Sequence, residues 1–203
     1  MSATIIPLIP PGKKLTLNQI ILLCKKYGYD LNVIRAFMAV ESGGTGFSSF
    51  TGRMIIQFEP AWFKKNYADW KKDTTGTVWL NNGIGNQVQE YAAFNDAYKR
   101  DPEAAMLSTS IGIGQVMGFH HLLLGFATVG AMWTFARESE ANQLELILRF
   151  IKASPKLEQA VKAKNWTLIA TYYNGAGFLA LAKKYKFTPY DKQMETQYLK
   201  YAA

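Results

Sequence analysis

The sequence predicts a mainly helical α+β domain with one small β element. After residue 14, apolar residues recur at helical spacing between recognisable start and stop signals. Only residues 53–59, RMIIQFE, favour a strand, since β-branched and aromatic residues stand there between a Thr-Gly pair and a proline. With 203 residues, 49% of them hydrophobic and 19% charged, the chain can bury the core of one domain.

Two helices with clear boundaries are predicted after an N-terminal arm. The arm, residues 1–14, is expected to be extended, because its three prolines are incompatible with a helix interior. The first helix begins at Thr16, which forms a capping-box pattern with Gln19, and ends at Gly28. The second begins after Asp30 and runs to about residue 42, where two glycines follow. Residues 15–203 are therefore expected to form a single domain.

The rest of the chain alternates helical patterns with short breaks. Residues 71–86 are rich in Gly, Thr and Asn and are predicted to be a loop. Further helices are predicted at 87–100, 102–108, 115–124, 129–138, 140–153, 156–164, 166–173 and 189–201.

The charge of the chain suggests an anionic partner. The formal net charge is +8, but the basic residues are spread along the chain as pairs, without a run of five. We therefore expect a dispersed basic surface with general attraction to an anionic cell envelope. The net charge is the sole feature that would support a nucleic-acid partner, so we do not expect the protein to bind nucleic acid.

Cysteine and histidine provide no basis for a metal site or a cofactor. Cys24 is the sole cysteine and follows four aliphatic residues, which favours a buried thiol. His120 and His121 are adjacent, so on a helix their side chains point in different directions. The sequence therefore predicts neither a metal nor a cofactor.

Glu41 is the first candidate for catalytic chemistry. On the second helix it shares one face with Ile34, Phe37 and Met38, so the carboxyl group extends an apolar stripe. Desolvation and the negative end of the helix dipole would both raise its pKa, as a general acid near neutral pH requires. Taken alone, the pattern also fits a partly exposed glutamate at a frayed helix end.

Glu59, at the end of the strand candidate, is the second. Two carboxyl groups in different environments are what glycoside hydrolysis uses. A strand-end glutamate paired with Lys64 is the alternative interpretation of this position.

Two glycine-containing segments carry polar side chains suited to sugars. In SIGIGQVMG, residues 110–118, the glycines allow close backbone approach and Gln115 offers an amide. In TYYNGAGF, residues 171–178, two tyrosines and an asparagine precede two glycines; tyrosine rings stack on sugars and asparagine binds their amides and hydroxyls. Each segment alone also fits an ordinary helix connection or helix end.

The order of these segments resembles that of lysozyme-like glycosidases, and most closely the N-acetylmuramidase catalytic domain of modular bacteriophage endolysins. The resemblance extends from about residue 15 to the end of the chain. It is carried by VESGGTGF (40–47), IQFEPAWF (56–63), AAMLSTSIGIGQVMGFHHLLLGFATV (104–129), QLELILRFI (143–151) and NWTLIATYYNGAGF (165–178).

The resemblance implies a lysozyme-like fold with a glycan-binding cleft and a role for each of these segments. Glu41 matches the catalytic acid, and Glu59 matches the glutamate of the family's I-L-F-E segment, a candidate second carboxylate. Residues implied to bind the saccharide are Ser42, Ser110, Gln115, Tyr172, Tyr173 and Asn174. The chain departs from the family pattern at Ala61, Ile111, Gly114 and His120, where relatives usually have His, Trp, Phe and Asn.

The function implied is hydrolysis of the β-1,4 bond between N-acetylmuramic acid and N-acetylglucosamine in peptidoglycan. A carboxyl separation of about 5–5.5 Å would imply retention of configuration, and about 6.5–9.5 Å inversion. Two alternatives stay open: a lytic transglycosylase, which forms anhydro-muramic ends with one glutamate, and a non-catalytic peptidoglycan-binding module.

The resemblance also implies where the protein acts. The N-terminus has no basic leader, and its apolar part is interrupted by prolines, so a signal peptide is not expected. No apolar stretch approaches the roughly 18 residues of a membrane span. We therefore expect a monomeric phage endolysin made in the host cytoplasm, released through holin lesions and acting on the cell wall in the periplasm.

Overall fold

The computed structural model describes residues 14–73, 75–83 and 85–203, so the predicted arm lies almost wholly outside the described residues. Within these ranges the chain is mainly helical with one small antiparallel sheet, as predicted. The helices are α1 (Leu17–Tyr27), α2 (Leu31–Ser42), α3 (Pro60–Asn66), α4 (Gln87–Tyr98), α5 (Pro102–Leu107), α6 (Val129–Glu138), α7 (Glu140–Ala153), α8 (Pro155–Lys162), α9 (Trp166–Ile169), α10 (Phe178–Tyr185) and α11 (Tyr190–Ala202). None of the described helices is both long and apolar enough to cross a membrane.

The boundaries predicted for the first two helices are confirmed. The Thr16 hydroxyl accepts a hydrogen bond from the Gln19 backbone N–H while the Gln19 side chain accepts one from that of Thr16, completing the capping box. Asp30 caps α2 because its side chain accepts hydrogen bonds from the backbone N–H groups of Asn32 and Val33. Gly28 and Gly43 end the two helices in the left-handed conformation that glycine adopts without strain.

The sheet has three short strands in the order β1 (Ile56–Phe58), β2 (Thr109–Ile111) and β3 (Val116–Met117). The strand predicted at 53–59 is therefore present but shorter, with an isolated bridge between Phe47 and Met54 ahead of it. Strand β1 pairs antiparallel with β2, Gln57 lying opposite Ser110.

The helix predicted at 115–124 is wrong, because a β-hairpin and 3₁₀ turns occupy this segment. Gly112 and Gln115 adopt positive φ angles of 69° and 46°, which close a tight turn between β2 and β3. At Gly118 a Cβ atom would stand 2.0 Å from the Met106 carbonyl oxygen. Local backbone demands therefore override the helical spacing of the apolar residues.

Helix α2 lies at the centre of the core. Ile34 and Phe37 are fully buried and Met38 nearly so, which confirms the predicted apolar face. Helix α11 packs along α2, and α7 contributes a second group of fully buried aliphatic side chains: Leu144, Ile147, Leu148 and Ile151. Cys24 is buried, as predicted.

The C-terminal part differs from the prediction in two places. The helix predicted at 166–173 consists of α9 followed by a π-helical turn at Ala170–Asn174. Helix α10 was not predicted; of its side chains only Phe178 and Ala182 are buried.

Candidate functional site

Glu41 lies at the last turn of α2, where the apolar face of the helix meets a partly open surface. The helix ends immediately after it because Gly43 turns into the left-handed region and returns its N–H to the Ala39 and Met38 carbonyls. The carboxyl group is partly buried, consistent with its place beside Phe37 and Met38.

Tyr190 is the partner of this carboxyl group. Its hydroxyl donates a hydrogen bond to Glu41 Oε1. Tyr190 is the first residue of α11, follows Pro189, and is buried because α11 packs along α2. Tyr190 was not predicted as a site residue, since no local motif links it to Glu41.

Burial raises the pKa of Glu41 from 4.5 to about 7, although the hydrogen bond from Tyr190 favours the ionised form and opposes the rise. Burial also raises the pKa of Tyr190 and of Tyr173 well above 10, so both hydroxyls stay protonated and remain donors. Glu41 can therefore hold a proton near neutral pH beside a neutral donor.

The loop between β2 and β3 is attached to the Glu41 region by two side chains. Ser42 Oγ donates to the Ile113 carbonyl at 2.9 Å, and Tyr173 Oη donates to the Gly114 carbonyl at 2.9 Å. The Tyr173 ring packs against Phe37, with centroids 4.8 Å apart, and lies nearly parallel to the Tyr190 ring. Both predicted residues thus contribute to the support of the site.

Gln143, for which no role was predicted, holds the same loop through its side-chain amide. It is buried, accepts a hydrogen bond from the Ile113 N–H at 2.9 Å, and donates to the Ala136 carbonyl at 3.0 Å. A Cβ atom on Gly46 or Gly112 would stand 1.8 or 2.7 Å from this amide. The one sequence feature that pointed to Gln143 was its place in the segment QLELILRFI, which carries the family resemblance. The aliphatic residues of this segment are accounted for by core packing.

Glu59 stands where β1 ends and α3 begins. Pro60 occupies the first helical position, and the Glu59 N–H is held by the Ser108 carbonyl at 2.9 Å. Gln57 Nε2 donates to Glu59 Oε1 at 2.7 Å. Burial raises the pKa of Glu59, the Gln57 hydrogen bond opposes that rise, and the nearby charge of Glu90 adds to it.

Glu90 is a buried carboxylate beneath β1 that the sequence analysis did not single out. It accepts hydrogen bonds from the Phe58 N–H at 2.8 Å, from Asn82 Nδ2 at 3.0 Å and from the Gly85 N–H at 3.3 Å. These contacts fix the strand that carries Glu59 and the loop beside it. Its position in the first turn of α4, where an acidic residue is ordinary, provided no distinguishing signal.

Ser110 and Gln115 bind each other across the hairpin. Ser110 Oγ donates to Gln115 Oε1 at 2.9 Å, and Gln115 Nε2 donates to the Gly112 carbonyl at 2.7 Å. Both groups thus hold the turn. Because Ser110 pairs with Gln57 across the sheet, β2 connects the strand of Glu59 to the loop held by Ser42.

Tyr172 and Asn174 face solvent beside this site. Tyr172 is 37% exposed and Asn174 is also exposed, so both are accessible to a ligand. The structure thus brings Glu41, Ser42 and Tyr173 together at one side of the β2–β3 turn. It places Glu59 and its partner Gln57 at β1, the strand at the other edge of the sheet from β3.

The described residues contain no group of three His, Cys, Asp or Glu side chains that could hold a metal ion. His120 packs between Phe119 and Phe150, with centroid distances of 4.3 and 4.8 Å, and burial lowers its pKa. It therefore contributes an uncharged ring to an aromatic row.

Comparison with known proteins identifies the fold and the family. The crystal structure of Burkholderia AP3 phage endolysin is similar, with a TM-score of 0.79 and 29% sequence identity over 95% of this chain and 72% of that chain. No curated protein sequence matches the chain. The family profile described as Muramidase, N-acetylmuramidase, matches residues 30–202. This chain therefore belongs to the N-acetylmuramidase family.

Proposed function

We propose that the protein is a peptidoglycan-degrading muramidase, a glycoside hydrolase of the endolysin type, in which Glu41 is the general acid. The bond cleaved is the β-1,4 linkage that follows N-acetylmuramic acid. The observation that carries this proposal is the environment of Glu41: an apolar helix face, a neutral tyrosine donor, and a pKa of about 7.

The protonated Glu41 would transfer its proton to the leaving glycosidic oxygen. A carboxyl group with an ordinary pKa would be ionised at neutral pH and would have no proton to give. Tyr190 would keep the Glu41 carboxyl group in one orientation and stabilise the anion formed after the transfer.

Glu59 would act in its ionised form, either by activating water or by stabilising the oxocarbenium-like transition state. The hydrogen bond from Gln57 supports this assignment because it favours the carboxylate and fixes one of its oxygens. Exposed Tyr172 and Asn174 are proposed to contact the saccharide. The other residues proposed to take part in saccharide binding are Ser42, Ser110, Gln115 and Tyr173.

We further propose the biological setting of this activity. The similar phage endolysin supports a role in lysis of the bacterial wall. Residues 15–203 are proposed to act as one catalytic domain and as a monomer. In this proposal the protein is made in the host cytoplasm and reaches the periplasm through holin lesions, and its basic surface favours the anionic envelope.

The test is the clearing of bacteria stripped of their outer membrane by wild type, Glu41→Gln and Glu59→Gln. We expect a loss of about a thousandfold for Glu41→Gln, within the range for general acid catalysis, and a large loss for Glu59→Gln. Glu103→Gln, which changes an exposed carboxyl group on α5, is the matched control and should keep full activity. Full lytic activity of Glu41→Gln would refute the assignment.

Mass spectrometry of the digested wall distinguishes the proposed reaction from its alternatives. Hydrolysis leaves reducing N-acetylmuramic acid ends, whereas anhydro-muramic ends would identify a lytic transglycosylase. Wall binding by a wild-type protein without any cleavage would identify a binding module.

A further inference from the structure

Helix α10 lies outside the proposed catalytic machinery but immediately beside it in the chain. Residues 175–189 connect Asn174 to Tyr190, the residue that contacts Glu41. The segment is anchored by Phe178 and Ala182, which are 4% and 3% exposed. Its remaining helical side chains face outward.

Several of these outward side chains are large and apolar. Leu181 is 47% exposed, Tyr185 61% and Phe187 48%, and Leu179 in the first turn is 54% exposed. A single exposed leucine needs no explanation, but four large apolar side chains within nine residues form a concentrated surface.

The same segment is basic. Lys184 and Tyr185 follow Leu181 by three and four positions, so the three side chains share one side of the helix. Lys184 Nζ lies 4.9 Å from the Tyr185 ring centroid, and Lys186 and Phe187 continue the segment, both exposed. No Asp or Glu occurs in the sequence between residues 159 and 190, so the segment itself offers these lysines no acidic partner.

We propose that Leu181, Lys184, Tyr185, Lys186 and Phe187, here called the α10 patch, bind an anionic phospholipid surface. Apolar side chains would enter the boundary between headgroups and acyl chains, while the lysines would contact lipid phosphates. A purely polyanionic partner would make favourable contacts with the lysines only. A neutral apolar partner would make them only with the leucine and the aromatic rings. The combination of both on one exposed segment favours a charged bilayer.

The surroundings of its lysines distinguish the α10 patch from the rest of the basic surface. Lys26, on α1, is paired with Glu145 at 3.0 Å, and Lys152 and Lys162 are both paired with Glu158. In the α10 patch the positive charge stands instead beside exposed apolar groups. Lipid binding by the patch is independent of glycan cleavage, because none of its residues is assigned to the catalytic site.

The test measures co-sedimentation of the full chain with vesicles of equal parts phosphatidylglycerol and phosphatidylcholine, and with pure phosphatidylcholine vesicles. We expect wild type to sediment with the anionic vesicles and much less with the neutral ones, and added salt to weaken the binding. Leu181→Ser/Phe187→Ser and Lys184→Gln/Lys186→Asn should each lower the partition coefficient about tenfold or more. Asparagine is chosen at position 186 because the backbone there has a φ of 56°.

Two matched controls make the assignment specific. Lys25→Gln/Lys99→Gln removes the same charge from exposed positions elsewhere, and Leu22→Ser/Leu122→Ser removes two leucines that are 66% and 70% exposed. Both controls should bind within about twofold of wild type. All variants should still digest purified peptidoglycan, which separates this proposal from the catalytic one.

Three results would overturn the proposal. The first is a wild type that fails to sediment with anionic vesicles. The second is a loss of binding by the controls as large as that of the patch variants, which would assign the effect to net charge or to general apolar exposure. Patch variants that lose binding to purified peptidoglycan while keeping vesicle binding would show that the patch contacts the wall polymer instead.

Discussion

The hydroxyl of Tyr190 donates a hydrogen bond to the carboxyl group of Glu41, although the two residues are 149 positions apart in the chain. The contact exists because α11 packs along α2, which brings the first residue of one helix to the last turn of the other. It places a neutral donor at a carboxyl group whose pKa is raised to about 7 by burial.

Tyr190→Phe should shift the alkaline side of the pH–activity profile to higher pH. The Tyr190 hydrogen bond favours ionised Glu41, so its removal raises the pKa of Glu41 further and keeps the acid protonated to higher pH. We expect a shift of about half a unit to one unit, with a severalfold loss of the maximal rate because the carboxyl group is less well oriented. Tyr173→Phe, which leaves the hydrogen bond to Glu41 in place, is the control and should not shift the alkaline side of the profile. An unchanged profile in Tyr190→Phe would contradict the role given to this hydroxyl.

Glu41→Gln should change the pH dependence of stability. The pKa of Glu41 is raised from 4.5 to about 7 on folding, because burial makes ionisation of this group less favourable in the folded state than in the unfolded state. The contribution of this pKa shift to the free energy of unfolding is fully present below pH 4.5 and is lost as the pH rises through about 7. The contribution is at most roughly 3 kcal/mol. The Gln variant cannot ionise, so it should match wild type near pH 4.5 and exceed it at pH 8 in urea unfolding. An equal difference between Glu41→Gln and wild type at both pH values would rule out a raised pKa.

Gln57→Met should shift the acidic side of the activity profile to higher pH. Gln57 donates to Glu59 and lowers its pKa, whereas burial and Glu90 raise it. Without the donor the pKa of Glu59 rises, and the carboxylate required by the proposed mechanism is lost at a higher pH. Initial rates on stripped cells across the acidic range measure this, with the exposed Gln159→Met as control. A shift to lower pH would show that Gln57 does not support the ionised form.

Gly114→Ala should destabilise the turn between β2 and β3 by about 1–3 kcal/mol. A Cβ atom there would stand 2.2 Å from Ile147 Cγ1 and 2.7 Å from Ile147 Cδ1, in a fully buried part of the core. Replacing Ile147 by Ala removes both atoms, so the cost of Gly114→Ala should fall in the Ile147→Ala background. A double-mutant cycle by urea unfolding tests this coupling, and additive effects would disprove the clash.

The family pattern has Phe at position 114, and the same contact explains its absence in this chain. Ile147 fills the space that a side chain at Gly114 would need. The Tyr173 hydroxyl donates a hydrogen bond to the Gly114 carbonyl at 2.9 Å. The turn is therefore held from α7 and from the π-helical turn instead of by its own side chain.

Local signals were sufficient to predict the helix that carries Glu41. Asp30 starts it, Gly43 ends it, and the spacing of Ile34, Phe37 and Met38 places Glu41 on its apolar face; each of these relations spans only a few residues. The short strand before Glu59 was predicted for the same reason, although its pairing with β2 makes it shorter than the apolar run.

The sequence by itself determined the main helices, their caps and the face on which Glu41 lies, because hydrogen bonds within a helix connect neighbours three and four positions apart. Only the tertiary structure decided which groups meet that carboxyl group and its supporting loop. Tyr190, Gln143 and Glu90 act through partners in distant segments, and whether such a polar side chain is buried depends on how helices and strands pack, for which the local pattern carries no signal. The β2–β3 turn likewise formed against the helical spacing of its residues, since Ile147, Met106 and Gln143 leave room only for backbone there.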